Sequence, residues 1–331
     1  MLGAVNTLAF QTLRALSDGA FHSGEDIARA LGVTRSAVWY GIRDIAGAGF
    51  AVDKVRGRGY RLARALSLLD AARVRAALGT AAPAFTLEIL DSTDSTNTQL
   101  MQRAAQGAPS GLVLAAEAQT AGRGRRGRPW QSAIGSTLTF SLLWRFHRGA
   151  RELAGLSLAV GVALARALRA SGAASAMLKW PNDVLLPAGK LAGILTEMQG
   201  DVLGPSTAVI GVGVNACADA RVRDAVDQPV ADLEAATGAA VDRNELLARM
   251  LAELADVLGR FADSGFGPLR EEWQRLHVWQ DRRVRLLLPD GEARSGIARG
   301  VAEDGVLLLE TATGVERCHS GELSLRAEAP A

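Results

Sequence analysis

The spacing of apolar residues changes character near Phe85, and that change calls for a chain of more than one domain. Before it the period is helical. Thr7, Leu8, Phe10, Leu13 and Leu16 space apolar groups as a helix does, and Gly19 stops the run. Ser23-Gly24-Glu25-Asp26 resembles a capping box with Asp in its last place, and it opens a helix through Ile27 and Leu31. Gly32 makes a turn. Thr34 caps a third helix with Val38, Ile42 and Ile45 on its inner face. Helix, glycine turn, helix is the helix-turn-helix pattern. Phe50–Val55 and Gly59–Leu62 then read as a hairpin, a wing, with Arg56-Gly57-Arg58 at its tip. A connecting helix is expected over Leu68–Leu78, with Pro83 ending it.

After Phe85 strands and helices alternate. Strands are expected at Phe85–Leu90, Leu112–Glu117 and Thr137–Trp144, then near Ala176–Trp180, Val184–Leu186, Ala192–Met198 and Ala208–Val214. Helices are expected at Thr96–Ala105, Leu153–Ala170, Arg243–Phe261 and Pro268–Leu276. From Arg282 the text is strand and turn, with turns at Pro289-Asp290-Gly291, Asp304-Gly305 and Thr313-Gly314, so a small β-barrel-like module closes the chain. The fold class is α+β and multidomain: residues 1–64, 65–280 and 281–331 form the three units.

Charge separates the first unit from the rest. Residues 1–64 hold nine Arg or Lys and five acids, a net +4, in a chain whose total is only +2. A basic module on a near-neutral body suggests a polyanion partner for that module. Exposed candidates for DNA contact are Arg35, Ser36, Trp39 and Tyr40 on the third helix, with Arg56 and Arg58 on the wing. The bland alternative is a small helical domain used for protein contacts. Gly41 is a poor helix former beside Trp39 and Tyr40, so no base preference is legible.

Cys217 and Cys318 stand 101 positions apart and the four His are scattered, which argues against a disulfide framework or a transition-metal site. Residues 153–170 are apolar but carry Arg166 and Arg169, so they read as a buried helix and not a membrane span. A cytoplasmic protein is expected. Only three of 37 basic residues are Lys: Lys54, Lys179 and Lys190. Where Arg is the default, a Lys marks a place that wants a compact ammonium.

Five segments carry chemistry. Gly122-Arg123-Gly124-Arg125-Arg126-Gly127-Arg128-Pro129-Trp130 contains G-x-G-x-x-G, but Pro129 and a polar turn follow it where a dinucleotide site needs a helix. Its glycines admit a ligand close to the backbone, and its arginines suit a phosphate or carboxylate. Trp130 offers an adenine-stacking face, or is a core tryptophan; the loop could also touch nucleic acid. Lys179-Trp180-Pro181-Asn182-Asp183 and Lys190-Leu191-Ala192-Gly193-Ile194-Leu195 lack the P-loop pattern, and Asp183 and Lys190 could simply be a surface ion pair. Asp94-Ser95-Thr96-Asn97 reads as a helix cap. Gly211-Val212-Gly213-Val214-Asn215 is a strand ending in Asn.

Together, and in this order, these segments resemble the bifunctional biotin–protein ligase and biotin operon repressor family over nearly the whole chain. Ser95-Thr96-Asn97, Gln119, the Gly122–Arg128 loop with Trp130, Lys179–Asp183, Lys190–Leu195 and Gly211–Asn215 carry the likeness, as does the tail Gly321-Glu322-Leu323-Ser324-Leu325-Arg326. The resemblance implies a winged helix-turn-helix, a class II synthetase-like ligase domain and an SH3-like C-terminal domain. It implies that biotin and ATP with Mg²⁺ give biotinyl-5′-adenylate, which a lysine of a biotin carboxyl carrier domain then attacks. By family position Ser95, Thr96, Asn97 and Gln119 hold the biotin head. Arg123, Gly124, Arg125 and Lys190 hold its carboxyl and the phosphate. Trp130, Asn182, Asn215 and Arg326 serve the ATP side. Lys190, Arg123, Arg125 and Asp183 are the catalytic set, with Asp183 also suited to orient the incoming lysine. Metal enters with ATP and not through a protein cage. Operator DNA and an adenylate-dependent homodimer complete the implied partners. Two departures stand out: Thr120 replaces a common glutamine, and Trp39-Tyr40-Gly41 replaces polar residues on the recognition helix. The competing readings are a lipoate-type ligase and a non-catalytic ligand-sensing transcription factor.

Overall fold

The computed structural model describes residues 6–200, 204–218, 222–223, 226, 228–288, 292–319 and 324–327. Its first unit is three helices and a hairpin: α1 (Thr7–Ala15), α2 (Gly24–Leu31), α3 (Arg35–Gly47), β1 (Val52–Val55) and β2 (Gly59–Leu62). The Ser23 and Thr34 side chains accept the Asp26 and Ala37 amides and cap α2 and α3. The capping box is not the usual reciprocal one, because the Asp26 carboxylate accepts the Ser23 hydroxyl at 2.7 Å. Val38, Ile42 and Ile45 are buried against Leu13 and Leu62, as their spacing requires. Gly41 faces α1. A methyl group there would stand 2.5 Å from Thr12 Oγ1, so glycine lets the two helices approach and its low helix propensity is offset by packing.

The connection differs from the expected helix. Leu68 and Leu69 are buried but lie outside any helix, and α4 begins only at Ala71, capped by Asp70 (Ala71–Leu78). Gly79 with φ +54° ends it, and Pro83 lies inside a following 3-10 turn. Apolar residues at 68 and 69 imitate a helical face, but Asn244 and Glu117 side chains bond this backbone instead.

The central unit is a seven-stranded sheet of β3 (Thr86–Thr93), β4 (Leu112–Gln119), β5 (Thr137–Phe146), β6 (Met177–Lys179), β7 (Asp183–Leu186), β8 (Gly189–Gly200) and β9 (Ser206–Asn215), in the order β3-β4-β5-β9-β8-β7-β6. Only β3 and β4 run parallel. One face carries α5 (Thr96–Ala105) over Leu114, Leu143 and Val209. The other carries the main core under α6 (Leu156–Ala170) and α8 (Arg243–Ser264). The segment Ala150–Ala170 is apolar and long enough to cross a membrane by composition, but it is mostly buried in this core, as its sequence suggested. A 3-10 turn at Ala150–Leu153 precedes α6, so the helix starts later than expected. The short α7 (Leu233–Thr237) gave no readable period.

Helix α9 (Arg270–Leu276) leads to the last unit: β10 (Arg283–Leu287), β11 (Ala293–Val301), β12 (Leu307–Thr311), β13 (Gly314–Cys318) and β14 (Ser324–Ala327), one antiparallel sheet in the order β13-β12-β11-β10-β14. The expected turn at 289–291 and the tail residues 321–323 lie outside the described residues. Trp180 is fully buried and donates its indole N–H to Gly305 O at 3.1 Å, tying this sheet to the central one.

Candidate functional site

A cavity of about 550 Å³ opens on the α5 face of the central sheet. Ser95, Thr96, Asn97, Gln119, Arg123, Gly124, Arg125, Trp130, Asn182, Asp183, Lys190, Asn215 and Arg326 all line it. Thus the candidate site residues that the resemblance implied for the central unit all line one cavity.

One end is rich in hydroxyl and amide groups. Ser95 caps α5, which brings Thr96 and Asn97 into its first turn, buried against the sheet. The Thr96 amide and hydroxyl donate to Gln119 Oε1 at 2.8 and 3.1 Å. Asn97 donates its amide hydrogens to Leu195 O and Glu197 Oε2, at 3.3 and 2.8 Å. Ser141 Oγ sits between Thr96 Oγ1 and Asn97 Oδ1, at 2.7 and 2.5 Å. With both amide hydrogens committed, Asn97 offers a ligand only its remaining oxygen lone pair. A fixed set of donors and acceptors like this reads a small polar ring and rejects its isosteres.

The other end is cationic. The Gly122–Trp130 loop is closed by backbone bonds from Gly124 N to Arg128 O and from Trp130 N to Gly122 O, with Arg126 at φ +61°. Arg123 turns back to Thr98 and Glu197, 3.1 and 3.3 Å away. Arg125 reaches across to Asn182 Oδ1 at 3.4 Å. Burial, with Arg126 next to it, holds the Arg125 pKa below its ordinary value. Lys190 Nζ lies 2.7 Å from Asp183 Oδ1, and Lys179 Nζ is 3.7 Å from Asp183 Oδ2. Asp183 and Lys190 are therefore partners within the site and not a surface pair.

Strand β9 makes the floor. Its alternate residues Gly211, Gly213 and Asn215 share one face. A Cβ on Gly211 would fall 2.3 Å from Asn97 Oδ1, and one on Gly213 would fall 2.3 Å from the Trp130 ring. The glycines are the spaces into which those two side chains fit. Asn215 donates to Lys190 O and Ala231 O. Trp130 packs against this strand at Gly213, half-buried, with a buried indole N–H that has no partner among the described residues. Arg326 reaches the cavity from β14.

Sequence reasoning missed Ser141, Lys179 as a lining residue, and Glu197. Ser141 and Glu197 sit in alternating strands, where a polar residue reads as solvent-facing. Val222, Val226, Gln228 and Val230 also line the cavity. Among the described residues no group of three or more His, Cys, Asp or Glu converges.

On the winged unit Arg35, Ser36, Trp39, Tyr40, Arg56 and Arg58 are all exposed. Trp39 and Tyr40 meet edge to face at 5.0 Å, and the Arg43 guanidinium stands over both, 5.5 and 5.0 Å from the ring centres. Arg58 packs over Phe21.

Residues 89–215 match the biotin/lipoate A/B protein ligase family, residues 281–326 the biotin protein ligase C terminal domain, and residues 9–61 an HTH domain. The chain is 38% identical over 320 residues to the bifunctional ligase/repressor BirA of Salmonella typhimurium, covering 97% of this chain and 98% of that one. It is 37% identical over 235 residues to the biotin–[acetyl-CoA-carboxylase] ligase of Paracoccus denitrificans, covering 68% of this chain and 95% of the relative. A biotin protein ligase from Aquifex aeolicus, solved in complex with biotin and ATP, superposes with a TM-score of 0.62 at 29% identity, over 73% of this chain and 99% of that one.

Proposed function

This chain belongs to the biotin protein ligase family, in its branch of bifunctional ligase/repressors with an N-terminal helix-turn-helix, and we propose that it activates biotin with ATP and passes it to a protein lysine within this one cavity. The observation that carries the reading is the cavity's two-ended chemistry: hydroxyls and amides at one end, Arg125, Lys190 and an indole at the other, and a glycine strand joining them.

Ser95, Thr96, Asn97 and Gln119 hold the ureido ring, which needs both donors and acceptors. The biotin carboxylate attacks the α-phosphorus of ATP, a P–O bond forms, and pyrophosphate leaves. Two anions meet in that step, so Arg125 and Lys190 offset their repulsion. Arg123 and Gly124 close the loop over the carboxyl. Trp130 stacks on adenine; Asn182, Asn215 and Arg326 frame the nucleotide side. Mg²⁺ comes with the ATP phosphates as their counter-ion, and the protein adds its own cations.

The domain limits we assign are 1–64 for the winged helix-turn-helix, 65–280 for the ligase and 281–331 for the C-terminal unit. Operator DNA is the polyanion for the first, met by Arg35, Ser36, Trp39, Tyr40, Arg56 and Arg58. The acceptor is a biotin carboxyl carrier domain, the adenylate-bound chain pairs with a second copy on DNA, and the protein works in the cytoplasm. A single winged unit makes few phosphate contacts, so two joined units bind far more tightly than one.

The substrate is tested by pyrophosphate release from ATP with biotin against lipoate. Release with biotin alone is expected; equal release with lipoate, or none with either, contradicts the reading.

A further inference from the structure

Three lysines occur in this arginine-rich chain, and two of them flank one carboxylate in the cavity. Lys190 has an evident task at the reacting phosphate. Lys179 does not. It is almost fully buried at the end of β6, lines the cavity, and stands over the Trp279 ring at 5.7 Å, with its ammonium 3.7 Å from Asp183 Oδ2. We propose that Lys179 is the positioning residue of the transfer step: it holds Asp183 in place when Lys190 turns to the ligand, so that Asp183 meets the acceptor lysine. The inference rests on the ligase reading above.

The argument is one of charge. Before ligand binds, Asp183 has Lys190 at 2.7 Å on one oxygen and Lys179 on the other. A biotinyl phosphate is a stronger partner for Lys190 than a shared carboxylate is. Once Lys190 is drawn to it, together with Arg125, whose guanidinium also feels the Asp183 charge, Lys179 stays beside Asp183. It is fixed by burial against Trp279, whereas a solvent-exposed lysine would lose rotamer freedom in making the same contact. Asp183 then presents a carboxylate to the arriving ammonium group. That group loses one proton to water, and the amine attacks the carbonyl carbon of the mixed anhydride. A C–N bond forms, the C–O bond to phosphate breaks, AMP leaves with the bonding electrons, and the second proton goes to water. Formation of the adenylate makes no such use of Asp183, so Lys179 should matter far more to transfer than to adenylate formation.

The charged groups facing Lys179 are Asp183 on β7, Lys190 on β8 and Arg326 on β14; His277, paired along the backbone with Leu178, is uncharged at neutral pH. Burial pushes the Lys179 pKa down to about 8, against the pull of Asp183. Its counter-charge therefore fades as pH rises through 8.

The test is single-turnover kinetics on the full chain, with adenylate formation and transfer to a carrier domain measured separately. Lys179→Met should slow transfer roughly 100-fold and adenylate formation far less, so that the ratio of the two rates falls. Lys179→Arg should restore most of the transfer and remove its decline above pH 8, because guanidinium stays charged. An equal loss in both half-reactions, or normal transfer by Lys179→Met, overturns the inference. A parent chain that makes no adenylate overturns the ligase reading and this inference with it.

Discussion

Arg243 grips Glu117 through two hydrogen bonds, at 2.9 and 2.7 Å, where the two side chains are only 1% and 0% exposed. The same guanidinium donates to Ser67 O and Thr137 O. Glu117 in turn accepts the Leu69 and Gly135 amides. One ion pair thus joins the linker behind the winged unit to α8 and to the start of β5. Glu117 also lies two residues before the cavity-lining Gln119, on the same strand.

Removing one partner strands a buried charge, so Glu117→Gln or Arg243→Met should lower stability by about 3–5 kcal/mol in urea unfolding. The double variant should recover only part of this, because the Ser67 and Thr137 carbonyls lose their donor and glutamine keeps only one of the two acceptor oxygens of Glu117. A single variant as stable as the parent would contradict the burial described.

Local features of this fold were open to reading because they depend on neighbours in sequence. Ser23, Thr34 and Ser95 cap the helices they precede, and glycines turn the chain at 19 and 32. The site residues came from motif order, since Asp183 and Lys190 alone look like any ion pair. What stayed hidden is non-local. Gly211 and Gly213 matter because of side chains arriving from α5 and from the arginine loop. Leu68 and Leu69 look like the start of a helix, but the side chains of Glu117 and Asn244, far along the chain, bond their backbone groups instead. Glu197 gave no signal, as its partners Arg123 and Asn97 lie 74 and 100 positions away.

The two floor glycines should separate the ligands. Gly211→Ala pushes on Asn97 and should weaken biotin binding about tenfold or more with little effect on ATP. Gly213→Ala pushes on Trp130 and should do the reverse. Calorimetric titration of each variant with each ligand reads this directly. Parallel losses for both ligands would mean that the two ends of the cavity are not distinct.

His277 should make the protein acid-sensitive. It is buried and stacked on Trp273 at 4.7 Å, and neither ring nitrogen reaches a partner at full hydrogen-bond geometry. Burial pushes its pKa down to about 4, with Gln280 and Asp281 acting the other way. The unfolded chain takes up this proton near the ordinary value of about 6.5, so its stabilising contribution is complete above that pH and is lost as pH falls toward 4. The loss is on the order of 3 kcal/mol. His277→Phe should flatten this part of the stability–pH curve. An unchanged slope between pH 6.5 and 4 in that variant would assign the acid sensitivity elsewhere.

Direct detection of the intermediate bears hardest on the account. With biotin and ATP the full chain should accumulate biotinyl-5′-adenylate, close to one per chain, seen by mass spectrometry of the quenched reaction. Lys190→Ala should slow its formation roughly 100-fold or more, because one charged donor at the forming bond is removed, and Lys190→Arg should not restore it fully. Adenylate that forms at the parent rate in Lys190→Ala, or ATP cleavage that does not require biotin, would contradict it.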